Sequence, residues 1–199
     1  RRESDGQPGG GSWPPRPSCG GDDGREASWG QPAGGRGRWQ DIGTPAGATH
    51  YVGRAACVRP VDGDGVALQP HAHYRAREVR GDATLPDGST QPLVVIKDWD
   101  FRWQHVFRYE TPRHLPKGTT LSMTYVYDNS AANPRNPQRP PVRAVWGQRS
   151  AEEMGDLWVQ VLTNSDRDLD VISRDFRSKV AAEDGQGYAG EIAKHPDDA

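Results

Sequence analysis

Alternation of apolar and polar residues dominates the middle of the chain. His50 to Val58 and Val66 to Tyr74 carry it, and Arg77 to Leu85 carries it loosely. Side chains on a strand point to opposite faces in turn, so this period marks strands with one buried face. Pro86-Asp87-Gly88-Ser89 supplies turn chemistry between that third run and Pro92 to Lys97, which predicts a hairpin. Gln104 to Glu110 is a further strand. Thr119 to Tyr127 is the strongest, being rich in β-branched and aromatic residues. Asp128 to Pro141, with Asn133-Pro134, Asn136-Pro137 and Pro140-Pro141, is a long loop. Val142 to Trp146 and Leu157 to Leu162 close the set. Many short strands with Gly/Pro turns and no helix between them predict an all-β protein, an antiparallel jelly-roll-type β-sandwich, over residues 45–164.

The flanks differ. Residues 1–44 have no sustained period and are dominated by Gly, Pro, Ser, Arg and Asp, which predicts a disordered leader. Their Arg/Gly/Pro/Ser/Trp bias also fits G+C-rich DNA translated out of frame. Trp13, Trp29 and Trp39 read there as incidental aromatics. After Asn164 the period lengthens: Leu169, Ile172, Phe176 and Val180 recur every three or four residues, predicting an amphipathic helix to about Glu183. Tyr188 to Lys194 starts another. His195-Pro196-Asp197-Asp198-Ala199 resembles the loop between tetratricopeptide repeats, so residues 165–199 form a short helical tail and the natural chain is expected to continue. The chain opens at Arg1 and reads as a fragment.

Composition narrows the function. Of 199 residues, 33% are hydrophobic, with 24 Gly and 17 Pro, so part of the chain is not expected to pack. A net charge of -2 offers no attraction for nucleic acid or an anionic membrane. No apolar run is long enough for a membrane span. Cys19 and Cys57 make no disulfide framework. No Ser/His/Asp arrangement, phosphate loop or Cys-x-x-Cys zinc signature is present.

The chemistry concentrates in His71-Ala72-His73 and Glu152-Glu153-Met154. Histidines at i, i+2 on a strand share a face and reach one ion. A distant thioether would complete a His/His/Met set, softer than zinc or magnesium sites and suited to copper passing through Cu(I). Met154 precedes the apolar Leu157-Trp158-Val159, at a strand entrance from which a side chain reaches the surface. Glu152 and Glu153 read either as electrostatic tuning or as a solvated pair. His105 and His114 read as ordinary strand and loop residues, and His50 lies one strand upstream of the pair. Asp98-Trp99-Asp100 borders a substrate surface or, with Trp99, Phe101 and Trp103 alternating, packs the sandwich.

A wider pattern surrounds these residues. Pro70-His71-Ala72-His73, Lys97-Asp98-Trp99-Asp100-Phe101-Arg102-Trp103-Gln104, Leu115-Pro116-Lys117-Gly118-Thr119, Tyr127-Asp128-Asn129-Ser130-Ala131-Ala132-Asn133-Pro134 and Trp146-Gly147-Gln148-Arg149-Ser150-Ala151-Glu152-Glu153-Met154 follow in order. Together they resemble the C-terminal domain of the bacterial copper type II, ascorbate-dependent monooxygenases, over about residues 46–164. The resemblance implies a jelly-roll sandwich whose catalytic copper is held by His71, His73 and Met154. It further implies O2 as co-substrate, hydroxylation of a C–H bond in a small-molecule or peptide substrate, and ascorbate or another reductant as electron donor. A second, electron-transfer copper domain precedes this one in the family, and the location implied is periplasmic or extracellular.

The departures are specific. The chain has no His-His pair for a second copper. Gly155 stands where the eukaryotic peptide-processing relative has Cys. Gln69 and Trp158 stand where that enzyme has the Arg and Tyr that hold a peptide carboxylate, so a peptidylglycine substrate is not supported. Two functions follow: the catalytic-copper half of an oxidoreductase, incomplete alone, or a non-catalytic copper-binding or protein-interaction module.

Overall fold

The structure, a computed structural model, describes residues 26–30 and 42–179. Ten strands run in chain order: β1 (Glu26–Gly30), β2 (Gly43–Thr44), β3 (Tyr51–Val58), β4 (Asp64–Ala72), β5 (Ala76–Thr84), β6 (Thr90–Ile96), β7 (Phe107–His114), β8 (Thr120–Tyr127), β9 (Ala144–Val145) and β10 (Gly155–Leu162). They form two four-stranded antiparallel sheets, ordered β1-β10-β4-β7 and β3-β8-β5-β6, with a small β2-β9 pair at the side. Apart from the β5–β6 hairpin, consecutive strands from β3 to β8 alternate between the two large sheets, so the all-β sandwich expected from the alternation is present.

The alternation builds the core directly. Leu121, Met123, Tyr125 and Tyr127 of β8 face Leu157, Val159 and Val161 of β10, all with 2% exposure or less. The predicted β5–β6 hairpin forms. Gly88 at its turn has φ +86°, a conformation open to glycine at no steric cost, and Asp87 Oδ1 accepts the Ser89 N–H at 2.8 Å.

Three expectations need correction. Inside the supposed disordered leader, residues 26–30 form β1, which pairs with β10 from Glu26 opposite Leu162 to Gly30 opposite Trp158. Ile42 and Thr44, at the other end of that leader, are buried. Backbone pairing needs no amphipathic pattern, so neither contact leaves a periodic signal. Third, Trp99 packs as expected at 1% exposure, but Trp103 is 69% exposed. Strand β7 starts three residues later than its pattern predicted, and nearly all of it faces outward.

Residues 166–179 form the expected helix, α1. It begins before its apolar stripe because Ser165 caps it: Ser165 Oγ donates to Asp168 Oδ2 at 2.7 Å and accepts the Asp168 N–H at 3.3 Å. Ile172 is buried, and Phe176 lies 6.0 Å from the Trp158 ring on the outer face of β10. Val180, the second helix and the repeat-like terminus lie outside the described residues, as do Trp13, Trp39 and Cys19. Cys57 is buried and not in a disulfide. Among the described residues no helix is long and apolar enough to cross a membrane.

Candidate metal centre

His71 lies one residue before the end of β4, and His73 just beyond it. Their rings stand 5.2 Å apart, edge to face. The antiparallel ladder pairs Ala72 with Gly155 and His71 with Asp156. Continued by one step, that register sets Met154 opposite His73. The structure thus gathers at one end of β4 and β10 the three residues singled out in the sequence.

Both rings are oriented by acceptors that sequence reasoning could not name. His73 Nδ1 lies 3.1 Å from the Glu152 carbonyl, which can only accept, so this nitrogen carries the proton. His71 Nδ1 lies 2.5 Å from Gln104 Oε1. Gln104 Nε2 donates to the Phe101 carbonyl at 2.7 Å, which turns its oxygen toward the ring. Each Nε2 is therefore left as the neutral, lone-pair nitrogen that a metal takes, with the second nitrogen held as metal-binding histidines usually hold it. Burial lowers the pKa of His71, against the Gln104 bond, and likewise that of His73, against its bond to Glu152. Desolvation so favours the uncharged ligand form.

A buried carboxylate ties the Met154 segment to the histidine strand. Glu153, fully buried, accepts the backbone N–H of His73 at 2.8 Å, of Met154 at 3.0 Å and of Arg75 at 3.2 Å. Burial raises its carboxyl to about 7, against the pull of these amides and of the Arg75 guanidinium. Glu153 is thus not part of a solvated pair with Glu152. It is a three-point clamp between segments eighty residues apart.

Arg75 extends the clamp from the same strand end. Its buried guanidinium donates to the Ala151 carbonyl at 2.9 Å, to Asn129 Oδ1 at 2.9 Å and to Gln138 Oε1 at 3.0 Å. Asn129 in turn donates to the carbonyls of Thr44, Pro45 and Val142. The loop after β8, which reads in sequence as turn chemistry only, is therefore a buried polar scaffold beneath the site. On the opposite side Phe101 sits edge-on to His73, with ring centres 5.7 Å apart, and packs against Tyr74 at 4.5 Å. Arg135 fastens that aromatic loop through the Trp99 carbonyl and the Asp98 carboxylate.

Two other described histidines, His105 and His114, have partners away from the pair. His114 pairs with Asp64 at 2.9 Å on the surface, and His105 meets the Trp103 ring edge to face. Among the described residues no group of three or more His, Cys, Asp or Glu side chains could hold a metal. Continued by one residue, the β4–β10 register brings the Met154 backbone opposite His73. Two neutral imidazoles and a thioether fit Cu(I) and leave coordination positions open.

No family model matches the chain, and no curated protein does.

Proposed function

We propose that this sandwich is the catalytic-copper domain of a copper-dependent monooxygenase, with His71, His73 and Met154 as the ligands. The observation that carries the reading is the pair of oriented rings: each Nδ1 faces an acceptor, and each Nε2 is left free at the strand end beside Met154. When bound, copper would supply one-electron chemistry with O2 for hydroxylation of a C–H bond. The chain's own contribution is to hold both imidazoles neutral, fix their tautomers and register the thioether against them.

Hydroxylation with water as the second product consumes two external electrons, and a single Cu(I) supplies one. A second copper domain or another donor, fed by ascorbate or an equivalent reductant, completes the reaction. The isolated chain with ascorbate and O2 should hydroxylate little.

Copper stoichiometry and Cu(I) X-ray absorption on the purified chain test the reading, beside Met154→Ala and the double variant His71→Ala/His73→Ala. One copper with mixed nitrogen and sulfur ligation is expected. Met154→Ala should lose the sulfur signal, and the double variant should lose the metal. Absence of tight copper in the wild-type chain would refute the proposal and leave the protein-interaction module.

A further inference from the structure

Met154 lies one residue before β10, and the ladder of β4 and β10 begins only at Gly155 opposite Ala72. That pairing therefore does not fix the Met154 backbone. Two side chains hold it instead. Glu153 Oε1 accepts its N–H at 3.0 Å, and the Tyr127 hydroxyl donates to its carbonyl at 2.9 Å. Two residues on, the Tyr125 hydroxyl donates to the Asp156 carbonyl at 2.5 Å. Met154 itself is only half-buried.

Both tyrosines come from β8, in the opposite sheet. They lie two residues apart on its inward face, with rings stacked at 6.1 Å and 1% exposure or less. Phenylalanine would fill nearly the same volume. The hydroxyl is the difference, and a buried hydroxyl needs an acceptor. Here the two acceptors are carbonyls that flank Gly155, at the strand entrance carrying Met154. The fold also makes room for the Tyr127 ring: a Cβ on Gly53 of β3 would stand 3.3 Å from its Cε2. The hold on Met154 thus reaches across the core from one sheet to the other.

A thioether is a weak donor that favours Cu(I) over Cu(II), so its share in a site depends on being held in place beforehand. We propose that Tyr127 is a positioning residue for Met154. With Glu153 it locks the Met154 backbone at both its N–H and its carbonyl, and Tyr125 repeats the hold at Asp156. The effect is selective for the reduced ion, because imidazoles alone still suit the oxidised one. The inference rests on the copper reading for what the held thioether serves; the lock itself needs no metal.

The test uses the full chain beside Tyr127→Phe, Met154→Ala and the double variant Tyr127→Phe/Met154→Ala. Without metal, amide hydrogen exchange at Met154 should quicken in Tyr127→Phe by about tenfold relative to Val159 and Val161, buried further along the same strand. A general loss of stability would quicken all three alike. With metal, Tyr127→Phe should weaken Cu(I) by about tenfold and Cu(II) by no more than about threefold. In the Met154→Ala background the same substitution should remove no further Cu(I) affinity. Gly53→Ala crowds the ring but keeps the hydroxyl; it should quicken the Met154 amide by a smaller factor, and it serves if Tyr127→Phe does not fold. Unchanged exchange at Met154 in Tyr127→Phe, or a Cu(I) loss that persists without the thioether, would overturn the positioning role. Local quickening in a chain that takes no copper would keep the lock and remove the copper reading; copper binding without local quickening would do the reverse.

Discussion

Replacing Glu153 with Ala removes one acceptor from three backbone donors at once: His73, Arg75 and Met154. An unsatisfied buried donor costs about 1–3 kcal/mol. Full additivity would give up to about 9 kcal/mol, but a truncated side chain admits water that restores some bonds. The expected loss is therefore about 3–5 kcal/mol, a large share of the 5–15 kcal/mol of a typical domain. With a urea slope of about 2 kcal/mol per M, the unfolding midpoint should fall by roughly 2 M. Glu153→Gln is the sharper probe, because it keeps the volume. Its oxygen can still serve His73 and Met154, while its NH2 group is set against the Arg75 N–H, so stability should drop only about 1–2 kcal/mol. Cu(I) affinity should nonetheless fall about 10–100-fold, the usual effect of losing support behind metal ligands. Urea unfolding and competition with a colorimetric Cu(I) chelator read the two effects. A Glu153→Ala midpoint corresponding to less than about 1 kcal/mol of lost stability would refute the clamp.

Gln104→Leu should release the His71 ring, weakening Cu(I) binding about 10–100-fold while changing stability by no more than about 1 kcal/mol; unchanged affinity would show that the Nδ1 contact does not orient the ligand. The metal-free chain should also respond to pH through Glu153 and Asp156, each raised to about 7 in the fold and near 4 when unfolded. Between those values the native state binds more protons than the unfolded one, so their contribution to stability declines as pH rises from about 4 to about 7. His71 and His73, with pKa values lowered by burial, act oppositely: their contribution is lost as pH falls below the ordinary histidine value near 6.5. Asp156→Asn should narrow the carboxyl-driven fall in urea midpoint between pH 5 and pH 8, and an identical pH profile in the variant would contradict the shift.

The strands read from the sequence, β7 apart, place residues in the core, and that burial is what marks them. The alternation of β8 and β10 makes their sides unambiguous. Strand β1 escaped because Glu26-Ala27-Ser28-Trp29-Gly30 adds backbone pairing to an existing edge, which requires no hydrophobic period. Strand β7 slipped by three residues because its exposed side chains carry almost no amphipathic signal. At the site, His71, His73 and Met154 stood out by residue type and spacing. Their supports did not. Gln104 lies 33 residues from the ring it orients, on a loop, and nothing local marks it. Arg75 continues the alternation of His71 and His73 and could have been suspected, yet its partners Asn129 and Gln138 come from a segment that resembles ordinary turn chemistry.

The separation of eighty positions from His73 to Glu153 imposes an order of assembly. During synthesis the two histidines leave the ribosome long before the thioether exists, and β5 through β9 emerge in the interval. Contacts so distant in sequence pay their loop-closure entropy late, after the local hairpin β5–β6 has formed. Until β10 docks against β4, His73 lacks the carbonyl that sets its tautomer. A metal ion arriving early would meet only a loose imidazole pair. On the proposed copper reading, binding of the ion is thus expected to follow folding rather than guide it.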